Sequence, residues 1–180
     1  LAVELSASRL LGIVFGTSNL VWANIIGLIL VYLSLGYYLG GRWADRSPKA
    51  TTFYRLTAWA GFTSGLIPLV ARPVLLSAAR AVESFDAAVI AGSFITMLVL
   101  FSIPVTLLGC VSPFLIRLAL RQVSDAGTLS GKVFAVSTLG SIVGAFAPVL
   151  VLIPTIGTAR TFLAFAGGLL LIALIGLFWS

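Results

Sequence analysis

The sequence predicts an all-α, polytopic membrane helix bundle of six transmembrane helices, forming a single transmembrane domain over residues 1–180. Three observations predict it. Of the 180 residues, 60% are hydrophobic and only 9% are charged, where an ordinary soluble domain carries about 25% charged residues. Mean hydropathy is +1.17. The apolar residues also fall into separate blocks, most of them long enough to cross roughly 30 Å of hydrocarbon at about 1.5 Å per residue.

The first block, LAVELSASRLLGIVF, covers about residues 1–15 and falls short of the roughly 17 residues that a spanning helix needs. It is expected to be a truncated first helix of a longer chain. Glu4 and Arg9 interrupt it and no small-residue cleavage site follows, which argues against a signal peptide. GTSN then turns the chain into a second helix over about 20–41, which Gly40 and Gly41 are expected to end. Tyr37, Tyr38 and Trp43 read as interface aromatics there. The third and fourth helices are expected over about 52–71 and 87–110, separated by RPVLLSAARAVESFD, whose amphipathic pattern is weak. The next stretch, SPFLIRLALRQ, admits two readings. Ser112 and Pro113 suit the start of a short interfacial helix over 113–122 with Arg117 and Arg121 on one face, and equally the fourth helix can continue with Pro104 and Pro113 as kinks. The fifth and sixth helices are expected over about 133–153 and 161–179, joined by the short link PTIGTAR.

The links differ in charge. Those after the second and fourth helices, with the adjoining helix ends, carry Arg42, Arg46, Lys49, Arg55, Arg117, Arg121 and Lys132, whereas the opposite side carries Arg72, Arg80 and Arg160, offset in part by Glu83 and Asp86. The positive-inside rule places the richer side in the cytoplasm, and an even helix count brings the C-terminus back to it. Basic residues scattered between apolar blocks make no continuous basic face, so the net charge of +6 does not indicate nucleic acid. With no histidine and one cysteine, Cys110, there is no internal disulfide and no histidine ligand. Cys110 reads as a small buried hydrophobe. No catalytic, cofactor or metal site is expected within this segment.

Glu4 and Arg9 are the ionisable groups inside an apolar segment, which makes them site candidates, with Asn19 and Asn24 as further polar candidates. Five residues apart on a helix, Glu4 and Arg9 point roughly 140° away from each other and are poorly placed to pair. Three readings remain open: anchors near the non-cytoplasmic interface, a proton or substrate relay, or a structural polar pocket with Asn19, Asn24, Thr17 or Ser18. Three small-xxx-small pairs, Gly12 with Gly16, Gly36 with Gly40 and Gly140 with Gly144, are expected at helix contacts, because close backbone approach drives association in lipid. Asp45 sits in the basic cluster of Gly41, Arg42, Arg46 and Lys49, where it is expected to cap a neighbouring helix or hold Arg42 or Arg46.

The pattern Gly41-x-x-x-Asp45-Arg46-x-Pro48-Lys49 resembles the loop between the second and third helices of major facilitator transporters, with Pro48 in place of the family's second glycine. Six helices would correspond to one half of that twelve-helix fold. A resemblance over almost the whole chain lies in four blocks, ELSASRLLGIVFGTS, VWANIIGLILVYLSLGYYLGGRWADR, IPVTLLGCVSPFLIRLAL and GKVFAVSTLGSIVGAFAPVLVLIPTIGTART. They look like the membrane domain that precedes a spermidine-synthase-like domain in bacterial fused polyamine aminopropyltransferase relatives. That resemblance implies a multi-pass domain of the bacterial inner membrane, anchoring a cytoplasmic aminopropyltransferase-like domain expected after Ser180. The expected partners are the lipid bilayer and that fused domain. The alternatives are a half-size major-facilitator-like transporter and an accessory subunit of a larger membrane complex.

Overall fold

A computed structural model describes the backbone of residues 2–15, 18–81, 86–120 and 126–180, and side chains except over 77–81 and 86–90. All regular structure among the described residues is helical. Helix α1 spans Ala2–Phe15, α2 Asn19–Arg46, α3 Ala50–Ala81 and α4 Asp86–Ala119. Helix α5 spans Ala126–Phe146 and runs through a π-helical turn, Ala147–Leu152, into the short α6, Ile153–Ile156; α7 spans Thr158–Trp179. Among the described residues five stretches are long and apolar enough to cross a membrane: Asn19–Arg46, Ala50–Leu76, Ala91–Ala119, Ala126–Ile156 and Thr158–Trp179. The first helix, at 14 residues, is about 21 Å long.

The helices outrun the blocks expected from hydropathy because the backbone stays hydrogen-bonded where side chains turn polar. Gly40 and Gly41 do not end α2. The helix continues to Arg46, and the Ser47 N–H closes it on the Trp43 carbonyl at 2.9 Å. In the fourth helix the continuous reading holds and the separate interfacial helix over 113–122 does not form: α4 passes through Pro104 and Pro113 to Ala119, and residues 121 and 122 lie outside the described part. A proline inside a helix removes one hydrogen bond. Two contacts beyond Pro113 offset that loss: Phe114 is fully buried against the Phe53 ring of α3, and Arg117 reaches α2. The link PTIGTAR shrinks to one residue, since Pro154–Ile156 and Thr158–Arg160 are helical and Gly157 alone breaks the helix at φ 82°. Of RPVLLSAARAVESFD, residues 72–81 prolong α3 and 82–85 lie outside the described part.

Helix α4 is the centre of the bundle. Over an 18-residue apolar stretch of its spanning segment 44% of the residues are buried, against 6% over the corresponding stretch of Ala126–Ile156. It packs extensively on α2 and α3, while α3 packs on α7. Helices α2 and α3 scarcely touch beyond their link at 47–49. The shared core gathers Leu11 and Phe15 of α1, Ile25 and Ile29 of α2, Ile67 of α3, Met97 and Phe101 of α4 and Phe162 of α7. Phe101 and Phe162 lie 6.4 Å apart between ring centroids.

Two glycine seams fix the neighbours. In the first, a Cβ on Gly36 would strike the Thr106 carbonyl and lie 2.8 Å from Gly109 Cα, and one on Gly40 would lie 2.5 Å from Cys110 Cα. Helices α2 and α4 are therefore in backbone contact and run parallel. In the second, Gly61 and Gly65 face Ala166, and Gly176 faces the Tyr54 ring. That order makes α3 and α7 antiparallel and brings the end of α7 beside the start of α3.

Candidate functional site

The parallel α2/α4 pair is tied at both ends by polar contacts. At one end Asn24 Nδ2 donates to Ser93 Oγ at 3.2 Å; at the other, Arg117 Nε donates to Asp45 Oδ1 at 3.0 Å. Asp45 follows Asn24 by 21 positions, about 31 Å of helix, close to the hydrocarbon thickness. One tie therefore stands near each membrane interface, with the glycine contacts between them. Among the described residues Asp45 holds neither Arg42 nor Arg46, the partners its position in the sequence suggested, and caps no helix. Its partner comes from α4, which the parallel packing delivers to the same height. Arg42 instead donates to the Tyr38 hydroxyl one turn earlier at 2.7 Å and lies 5.5 Å from that ring's centroid.

Around this tie the positive charges of α2, α3 and α4 converge. Arg42 and Arg46 end α2, Lys49 sits in the link, Arg55 lies in the second turn of α3, and Arg117 ends α4. Because α2 and α3 each lean on α4 rather than on each other, a cleft opens between them with α4 as its floor. One part, ≈ 580 Å³, is lined by Leu39, Arg42, Arg46 and, on α4, Thr106 and Cys110. The adjoining part, ≈ 710 Å³, is lined by Thr52, Arg55, Trp59 and Thr63 of α3 and Ile103 of α4. Trp43, Ser47 and Leu107 line both. Gly41, the other member of the loop motif, has nothing within 4 Å of the place a Cβ would take.

The intramembrane candidates lie elsewhere and do not converge. Asn19 is exposed at the start of α2, where Ser18 caps the helix by accepting from Val21 N–H at 3.3 Å. Asn24 reaches Ser93 on α4. Arg9 lines a ≈ 710 Å³ cavity together with Ser8, Gly12, Trp22, Pro154 and Thr158. Six residues from the end of α1, it sits about 9 Å along the helix from that end, within snorkelling range of the interface opposite the basic one. Glu4 is a further five residues along α1 and partly buried. Thr17 and Gly16 fall outside the described residues. Gly140 has nothing within 4 Å of the place a Cβ would take, and Gly144 is partly buried on the same helix. Four buried hydroxyls, those of Ser6, Tyr32, Ser64 and Thr96, have no hydrogen-bond partner among the described residues.

Several members of this arrangement were hidden from sequence reasoning. Gly109, Thr106 and Ser93 matter because of what α2 presents to them, and nothing in their own neighbourhood marks them. Arg117 carried a signal, a cation at a helix end, but its pairing with Asp45 requires knowing that α2 and α4 are parallel neighbours.

A scan against protein-family models finds no match, and neither the curated proteins nor the solved structures contain a match to this chain.

Proposed function

We propose that this chain is the integral membrane domain of a spermidine-synthase-like protein of the bacterial inner membrane, anchoring a cytoplasmic aminopropyltransferase-like domain that follows Ser180. The observation that carries the anchor reading is the place of Ser180. The antiparallel α3/α7 seam sets Gly176 against Tyr54, so the end of α7 lies at the same end of the bundle as Arg42, Arg46, Lys49, Arg55 and Arg117. Arg72 and Arg160 lie toward the other end. That asymmetry supports a cytoplasmic basic end by the positive-inside rule, and with it a cytoplasmic Ser180. The four sequence blocks that resemble the membrane part of fused aminopropyltransferases supply the identity of the anchored domain.

A transfer of aminopropyl groups needs a glycine-rich cofactor loop and carboxylates that bind a polyamine and take its proton. In this reading both belong to the anchored domain, and the bundle supplies position. Mass-spectrometric sequencing of the intact native polypeptide tests it. A glycine-rich loop after a strand, with clustered acids, beyond Ser180 is the expected result; a native chain without such a region overturns the proposal. A second reading, a subunit of a larger membrane assembly, draws on α5, whose spanning segment is nearly bare and whose Gly140 leaves room for a close helix neighbour.

A further inference from the structure

We propose that the cleft between α2 and α3 is a binding site for an anionic phospholipid, whose phosphate headgroup is held by Arg42, Arg46 and Arg55. The inference is independent of any domain attached to the bundle. Its first ground is charge. Arg42 and Arg46 stand one turn apart on the α2 wall, and Arg55 stands on the α3 wall. Among the described residues no acidic side chain lines either part of the cleft. At that end of the bundle the one carboxylate among the described residues, Asp45, is bonded to Arg117. Among the described residues neither Arg46 nor Arg55 has a hydrogen-bond or ion-pair partner. Arg42 and Arg46 line one part of the cleft and Arg55 the adjoining part; like charges gathered on one cleft repel, and a phosphate relieves that repulsion while matching the planar donor fork.

The second ground is shape. The α3 wall runs from Thr52 to Thr63, about 16 Å from the basic end toward the bilayer centre. Polar groups stand at the mouth, with Ser47 and Thr52 hydroxyls 3.3 Å apart, and deeper down Leu56, Ile103 and Leu107 make the walls apolar. A site for a small free phosphate compound has no use for such a depth of apolar wall; a phospholipid does, because its acyl chains continue below its headgroup. Trp43 borders the mouth of the cleft beside Arg42 and Arg46, while deeper on the α3 wall the Trp59 ring is steadied edge-on by Phe62 at 5.8 Å. Tryptophan favours the headgroup level, and basic pockets between membrane helices on the cytoplasmic side are suited to anionic headgroups.

The test uses the full native chain in detergent with every tryptophan other than Trp43 and Trp59 replaced by phenylalanine, Trp22→Phe and Trp179→Phe among them, so that the cleft tryptophans alone report. Phosphatidylglycerol and phosphatidylcholine with brominated acyl chains are titrated, and quenching of Trp43 and Trp59 is followed. The expected result is tighter binding of phosphatidylglycerol, weakened by added salt. At about fivefold per cation, Arg46→Gln with Arg55→Gln weakens it roughly 30-fold, whereas Arg72→Gln with Arg160→Gln leaves it unchanged. Should the glutamine pair fail to fold, Arg46→Lys with Arg55→Lys and the salt dependence of the unmodified cleft carry the test. Equal quenching by the two lipids, binding indifferent to salt, or binding unchanged in a folded glutamine variant overturns the proposal. Displacement of the lipid by an equal concentration of soluble glycerol 3-phosphate also overturns it, since that marks a site for free phosphate compounds.

Discussion

Replacing Gly36 with alanine tests whether backbone contact between α2 and α4 holds the bundle together. The added methyl would meet the Thr106 carbonyl and stand 2.8 Å from Gly109 Cα, where non-bonded carbons prefer about 3.5–4.0 Å. Both obstacles are backbone, so no side chain can swing aside and α2 must retreat by roughly 1 Å. A gap of that size forfeits a quarter to a half of each neighbouring dispersion contact, and overpacking of this kind costs about 1–3 kcal/mol. Alanine also favours the helix by about 1 kcal/mol over glycine, which masks part of the clash. Gly27→Ala on the exposed face of the same helix gives the correction, because nothing lies within 4 Å of its added methyl. The difference between the two variants therefore isolates the clash. At about 2–4 °C per kcal/mol for a chain of this size, Gly36→Ala should melt roughly 2–12 °C below Gly27→Ala in detergent. Coincident melting curves would refute the close approach.

Other consequences are smaller or more local. The Asp45–Arg117 pair is largely solvated, its side chains 72% and 42% exposed, so a double-mutant cycle with Asp45→Asn and Arg117→Gln should give a coupling below about 1 kcal/mol that fades with salt. A salt-independent coupling of several kcal/mol would contradict that geometry. Gly157 combines φ 82° with ψ 164°, a region essentially reserved for glycine, so Gly157→Ala should destabilise the folded chain by about 1–3 kcal/mol in thermal unfolding. Gly157→Asn should not rescue it, since asparagine tolerates the left-handed helical region rather than this one. Cys110 is 2% exposed and its thiol donates to the Thr106 carbonyl at 3.3 Å, so maleimide should label it only after unfolding. Gly140→Leu should leave the melting point of the isolated bundle nearly unchanged, and a large fall would show that α5 packs more closely than it does here.

Most of the helical content was legible in the sequence, because apolar blocks of membrane-spanning length impose intrachain hydrogen bonding whatever their neighbours. Boundaries were less legible. Hydropathy sees where side chains turn polar, as at Arg42, but α2 stops only after the Ser47 N–H makes the last bond of its ladder, ahead of Pro48, which has no N–H to donate. Gly40 shows the difficulty well. In sequence the Gly40–Gly41 doublet reads as a helix end, and in three dimensions Gly40 is the contact that admits Cys110. Pro113 similarly reads as a start or a kink, and burial of Phe114 decides for continuation. Pairings between helices were not legible, since Asp45 with Arg117 and Asn24 with Ser93 depend on α2 and α4 running parallel across a 69- to 72-residue separation.

Orientation is the claim on which the functional account rests, and reporter fusions measure it directly. Alkaline phosphatase and a fluorescent protein that matures only in the cytoplasm are fused after Ser180 and, in separate chains, inserted at Gly157. The account predicts fluorescence without phosphatase activity at Ser180, and phosphatase activity without fluorescence at Gly157. Phosphatase activity after Ser180 would place the basic end outside the cytoplasm and contradict the anchor reading.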